Sequence, residues 1–146
     1  MSVDTHFRIE GGGGGTPLVL LHGVGLDLTM WDGVVDALAA DRQVVRFDML
    51  GHGRTLDPSG DRSIGDFVAQ LLEVVDALGL GRPDLAGLSM GGMVSLAAAA
   101  RHPSTFRRVA LLNTVFGRTP EQAAGRRERL AAAEAGGMGA VADLAI

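Results

Sequence analysis

Four short, mostly apolar runs set the rhythm of this chain: Leu18-Val19-Leu20-Leu21, Val44-Val45-Arg46-Phe47, Leu85-Ala86-Gly87-Leu88 and Val109-Ala110-Leu111-Leu112. Runs of four without polar alternation suit strands buried on both faces. Phe7 to Glu10 reads as a further short strand, followed by a flexible turn at residues 11–15, all glycine. Between the runs the period changes to that of helices. Residues 30–40 read as a short helix. A clearer one begins at Ser63 and Asp66, a capping pair. Ile64, Phe67, Val68, Leu71, Leu72, Val75 and Leu78 then recur along one stripe until Gly79, Gly81 and Pro83 end it. Residues 90–102 form the next helix, stopped by Pro103. Thr119-Pro120-Glu121-Gln122 opens another, which Gly136-Gly137 closes. Strands alternating with helices in this way predict an α/β, three-layer sandwich around a mostly parallel sheet. A last apolar pattern, residues 141–146, starts without reaching a stop signal.

Composition narrows the classes. At 146 residues the chain is read as a single domain, with 47% hydrophobic and 21% charged residues. A net charge of −4 argues against a nucleic-acid partner and against an anionic membrane surface. No apolar run reaches the roughly 18 residues needed to span a bilayer. There is no cysteine, hence no disulfide frame, thiolate metal site or thiol nucleophile. The N-terminus lacks a basic region followed by an apolar core, so a cytoplasmic protein is expected. Glycine, at 22 residues, has about twice its usual share, which implies many tight turns. The five consecutive glycines do not make a phosphate loop, because no Gly-Lys-Ser/Thr follows.

One cluster carries chemistry. Gly87-Leu88-Ser89-Met90-Gly91 lies where a strand gives way to a helix. Such a turn lifts the serine hydroxyl to its apex, and Gly87 and Gly91 are needed because side chains there would collide. The following helix aims its N-terminus at the place where negative charge would develop. The plainer reading is a glycine-rich turn with a capping serine. The loop His22-Gly23-Val24-Gly25 ends an earlier strand. In an open parallel sheet, ligands bind beyond the carboxyl ends of the strands, so this loop and Ser89 share an edge. The backbone amides of Val24 and Met90 are candidate oxyanion donors, with Gly23 and Gly25 allowing close approach. His22 is read as an organiser of that loop rather than as a base.

Other groups give weaker signals. Asp48 and His52, on the loop Asp48-Met49-Leu50-Gly51-His52-Gly53, suit either an acid–base pair or, preferably, a side chain bonding loop amides. His102 lies thirteen residues beyond Ser89 on the same helix, roughly 20 Å away at about 1.5 Å per residue. A general base must come within about 2.6–3.2 Å, so His102 is excluded. Arg101, Arg107 and Arg108 are expected on a solvated surface, as is the charged side of the helix with Arg126, Arg127, Glu128 and Arg129. Met49, Met90 and Met93 fit an apolar pocket or the core equally. No histidine pair has metal-ligand spacing, and no metal or cofactor is expected.

With these motifs in order, the chain resembles the N-terminal part of an α/β-hydrolase, from about residue 18 to 114. The three motifs are His22-Gly23-Val24-Gly25, Asp48-Met49-Leu50-Gly51-His52-Gly53 and Gly87-Leu88-Ser89-Met90-Gly91-Gly92. The stretch from Met30-Trp31 to Gly92-Met93 is similar to enol-lactonase and small-ester hydrolase members. The resemblance implies an eight-stranded, mostly parallel sheet with Ser89, the nucleophile, on its fifth strand. It implies a break after the sixth strand, with residues 119–146 starting a lid. It also implies a serine mechanism rather than the aspartate chemistry of dehalogenases and epoxide hydrolases. Asn113 stands where some members carry the acid. The acid and histidine that usually follow the seventh and eighth strands are not in this chain. Two functions follow as expectations. One is a serine hydrolase for small carboxylic esters or lactones, acting through an acyl-enzyme. The other is a non-catalytic module that binds a partner, or itself, through an open sheet edge. A histidine donated by a dimer mate is a third route. Carbon–carbon hydrolysis, peracid formation and cyanohydrin cleavage stay open on the same scaffold.

Overall fold

A computed structural model describes residues 4–56, 59–115 and 117–142. They divide into two compact units, Met1–Thr114 and Val115–Ile146.

The first unit is built on five strands: β1 (Phe7–Glu10), β2 (Leu18–Leu21), β3 (Val44–Phe47), β4 (Asp84–Leu88) and β5 (Val109–Leu112). Their order across the sheet is β1-β3-β2-β4-β5. β1 runs antiparallel to β3, and all other neighbours are parallel. The sheet is therefore mostly parallel, as expected. The register sets Leu21 beside both Phe47 and Gly87. The residues that follow, His22, Asp48 and Ser89, thus come out at one edge of the sheet.

Side-chain alternation explains the layers. Val19 and Leu21 of β2 join Val45, Phe47 and Leu85 in a core with Val68, Leu71, Val74, Val94 and Ala98 of the helices α2 (Ile64–Ala77) and α3 (Met90–Arg101). Leu18 and Leu20 face the other way and pack with Val44, Ala86, Trp31 and Val35. Helical elements thus cover both faces. α2 starts as its sequence predicts: the Ser63 N–H donates to the Asp66 carboxylate at 2.7 Å and the Ser63 hydroxyl at 2.8 Å. It ends at Gly79 and Gly81, both with positive φ.

One helix differs from expectation. Residues 30–40 are not continuous: a 3-10 turn (Leu28–Trp31) precedes a four-residue helix α1 (Val35–Leu38). The Asp27 carboxylate accepts the Thr29 N–H at 2.8 Å and starts the turn early. Gly33 and Val34, the latter at φ −129, then break the helix. With this break Leu28, Trp31 and Val35 are all buried, and Trp31 and Val35 pack on the sheet.

All four residues of β5 are exposed, with Leu111 at 44%. The sheet has five strands among the described residues, and Ser89 follows the fourth of them.

The second unit contains α4 (Pro120–Ala142), interrupted at Gly137 (φ 71, ψ −172), where the sequence sets a stop. At its start Thr119 Oγ1 accepts the Gln122 N–H at 3.3 Å and Gln122 Oε1 accepts the Thr119 N–H at 3.0 Å. The apolar pattern expected over residues 141–146 lies, from Asp143 on, outside the described residues. Among the described residues, no helix is long and apolar enough to cross a membrane.

Candidate active site

β4 passes into α3 with Ser89 alone between them, at φ 51 and ψ −111. A side chain in that region is strained, and such strain costs on the order of 1–3 kcal/mol. The surroundings impose it. The Ser89 N–H donates to the Leu112 carbonyl at 2.9 Å, and the Ser89 carbonyl accepts the Met93 N–H at 3.1 Å. The glycines around it are packing requirements. A Cβ on Gly87 would strike the Gly91 carbonyl, one on Gly91 the carbonyls of Leu21 and His22, and one on Gly92 the Thr114 hydroxyl. Ser89 is half-buried, and its hydroxyl has no hydrogen-bond partner among the described residues.

The loop after β2 lies against this turn. Gly23 is buried, and a Cβ there would come within 3.7 Å of Ser89 Cβ. The next residue, Val24, is 65% exposed, and Gly25 turns the chain with φ 73. Met90 is the first residue of α3, where amides have no acceptor within the helix. The structure therefore brings the 22–25 loop and the Ser89–Met90 step together, as parallel strands with aligned ends must.

His22 is fully buried, and both ring nitrogens are engaged: Nδ1–H donates to the Gly23 carbonyl at 2.8 Å, and Nε2 accepts the Met49 N–H at 2.9 Å. Burial pushes its pKa below the usual 6.5; the Gly23 carbonyl opposes this and the nearby His52 adds to it. The ring sits 5.1 Å from that of His52, tilted by 55°. His52 in turn bonds the Leu50 carbonyl through Nδ1 at 2.9 Å.

Asp48 is buried and bonds loop amides. Its Oδ1 accepts the Leu28 N–H and its Oδ2 the Arg54 N–H, both at 2.8 Å. Oδ2 also meets His6 Nδ1 at 2.8 Å. Burial opposes its ionisation, but the two amides and His6 outweigh that and hold the carboxyl below its ordinary value. A Cβ on Gly53 would run into this carboxylate, which explains the glycine in the loop. Asp48 and His52 do not pair with each other; the partner of Asp48 is His6.

His102 caps the far end of α3. Met49 is wholly core, and Met90 packs against the same cluster. Arg107 is exposed, as expected, and in addition grips Asp84 with Nε at 2.9 Å and Nη2 at 2.7 Å. Among the described residues, no group of three or more histidine or acidic side chains gathers to hold a metal. Sequence reading missed His6 and Thr114, since nothing local couples them to the motifs. Asn113 carried a signal: at φ 44 it is one of two non-glycine residues with positive φ among the described residues, and asparagine tolerates that region.

Comparison with known proteins agrees with this geometry. Residues 16–135 match the family described as alpha/beta hydrolase fold. The chain is 36% identical over 107 residues to the (E)-2-((N-methylformamido)methylene)succinate hydrolase of Acinetobacter baylyi, covering 73% of this chain and 41% of that one. It is 42% identical over 107 residues to the 2-hydroxy-6-oxo-2,4-heptadienoate hydrolase of Pseudomonas putida, covering 70% and 39%. Among solved structures, the enol-lactonase from Burkholderia xenovorans LB400 superposes with a TM-score of 0.89 at 37% identity, over 99% of this chain and 55% of that one. The chain thus spans less than half the length of these two curated relatives. The match over residues 16–135, on a mostly parallel sheet that delivers Ser89 through a strained strand-to-helix turn, shows that this chain belongs to the α/β-hydrolase-fold family.

Proposed function

We propose that this chain bears the nucleophile of a serine hydrolase that cleaves small carboxylic esters or lactones through an acyl-enzyme. The observation that carries the reading is the backbone of Ser89, at φ 51 and ψ −111, with the Gly23 loop beside it. Relatives named as hydrolases support hydrolysis, and the likeness to an enol-lactonase supports the substrate class. In this reading Ser89 Oγ attacks the substrate carbonyl carbon and loses its proton to a base. The amides of Val24 and Met90 bind the oxyanion, and each such donor stabilises the transition state by about 2.7–4 kcal/mol. Collapse expels the alcohol, or opens the lactone, and leaves an acyl group on Ser89 that water then removes. His22 holds its loop and does not take the proton. None of the four histidines hydrogen-bonds Ser89, so the reading takes base and acid from outside residues 1–146.

The test is hydrolysis of short p-nitrophenyl esters by the whole protein, with Ser89→Ala. Loss of turnover supports the reading, and an unchanged rate removes Ser89 from the mechanism. A fluorophosphonate probe on residues 1–146 alone asks how far Ser89 is activated without the base. Oxyanion donors and binding by themselves give about 10³–10⁴ over water, so slow labelling confined to Ser89 is expected.

A second reading rests on β5, whose four exposed residues form an apolar edge. Such an edge pairs readily with another strand. In that reading the chain associates through β5 rather than catalysing. Absence of labelling at Ser89 together with concentration-dependent dimerisation favours it.

A further inference from the structure

A cavity of about 280 Å³ in the second unit is lined by Val115, Arg118, Gln122, Gly125 and Arg129. Gln122, Gly125 and Arg129 stand at i, i+3 and i+7 of α4 and so share one face. Apart from its chain neighbours and the backbone of its own helix, Gly125 has no protein atom within 4 Å of where a Cβ would sit, which leaves a notch between the two longer side chains. No acidic residue lines the cavity, and neither Arg118 nor Arg129 has an ion-pair partner among the described residues. Gln122 Oε1 is already occupied by the Thr119 N–H, so its amide NH₂ remains as a donor. Residues 118–129 hold four arginines and two glutamates, a net of +2 in a chain of net −4. Two guanidinium groups sharing a concave surface repel each other until an anion lies between them, and their planar forks match a carboxylate. Val115 adds an apolar wall for a carbon skeleton.

We propose that this cavity binds a small organic carboxylate, held by Arg118 and Arg129 with Gln122 as a third donor. The site lies wholly within residues 115–142, and its existence does not depend on the role of Ser89.

The test is a titration of the ¹⁵N-labelled 146-residue chain with sodium succinate, followed by NMR at constant ionic strength. Succinamide, of the same length but uncharged, is the comparison, and inorganic phosphate is the second anion. Saturable shifts of the Arg118 and Arg129 Nε–H signals and of the Gly125 amide with succinate, but not with succinamide, are expected. Arg118→Gln and Arg129→Gln each weaken binding about tenfold or more, since each removes a charge-assisted pair. Arg126→Gln, outside the cavity, leaves it unchanged. Gly125→Leu, which fills the notch without altering charge, abolishes it while circular dichroism reports an unchanged helix content. Shifts that never saturate, equal loss with Arg126→Gln, or phosphate binding tighter than succinate would each overturn the proposal.

Discussion

The imidazole of His22 joins two loops that lie far apart in sequence: its Nε2 accepts the backbone N–H of Met49 at 2.9 Å. Met49 follows β3 and His22 follows β2, so the bond ties neighbouring strand ends together at the edge where Ser89 emerges. The ring is wholly buried, and its other nitrogen is used by the Gly23 carbonyl. Replacing it by leucine orphans a buried amide, which costs about 1–3 kcal/mol. We expect His22→Leu to lower the urea midpoint with an unchanged slope, and to weaken Ser89 labelling by loosening the loop that carries Val24. A variant as stable as the parent would show that the brace contributes nothing.

Stability should depend on pH through the same residue. In the folded chain His22 has its pKa lowered below 6.5, chiefly by burial, so the unfolded chain takes up the proton first. Below about pH 6.5 the unfolded state therefore gains relative to the folded one. His22 contributes its full share above that pH and loses it as pH falls towards the depressed folded value. Asp48 and Asp84, both held below the usual 3.8, act in a lower window: their contributions are full above 3.8 and decline as pH falls further. Urea midpoints across pH 7 to 3 should fall in two stages, and His22→Gln should remove the upper stage alone.

Ser89 trades stability for presentation. Glycine adopts φ 51 without strain, so Ser89→Gly is expected to stabilise the chain by about 1 kcal/mol or more, whereas Ser89→Ala retains the strain and changes stability little. Both lose fluorophosphonate labelling. Equal midpoints for the two variants would mean that the turn holds no strain.

The glycine at 91 is a contact requirement rather than a matter of flexibility. Its added methyl would meet the carbonyls of Leu21 and His22, both backbone atoms that cannot turn aside. Gly91→Ala should cost about 1–3 kcal/mol or more as β2 and α3 are pushed apart. Gly12→Ala, where nothing lies within 4 Å, serves as the neutral control. Thermal melts of the two variants side by side decide the matter.

A charge on the open edge tests the association reading. Leu111 is 44% exposed on β5, and a lysine there disfavours strand pairing without entering the core. If the chain self-associates through β5, Leu111→Lys shifts sedimentation towards the monomer at equal concentration. Unaltered association would place the contact elsewhere.

Much of this was readable in order along the chain. The strand runs at 18–21, 44–47, 85–88 and 109–112, the Ser63–Asp66 cap and the stop at Gly79 depend on neighbours within a few residues, and so they left a local pattern. The helix expected over residues 30–40 failed because burial of both Trp31 and Val35 on the sheet overrode it. Asp48 could be recognised as a loop-bonding side chain, but its partners Leu28, Arg54 and His6 could not, nor could the bidentate hold of Arg107 on Asp84. These bonds span from six to 42 residues of sequence.

By itself the sequence determined the alternation of strand and helix, the serine at a glycine-flanked strand-to-helix step and the family that this pattern resembles, because each is written in short-range periodicity and spacing. Tertiary structure alone decided that Gly23 lies beside Ser89, that His22 is used up by Met49 and Gly23, and that Asp48 answers to His6. Those pairings follow from the strand order β1-β3-β2-β4-β5, and which strand lies beside which is set by packing across the whole sheet, not by any local run of residues.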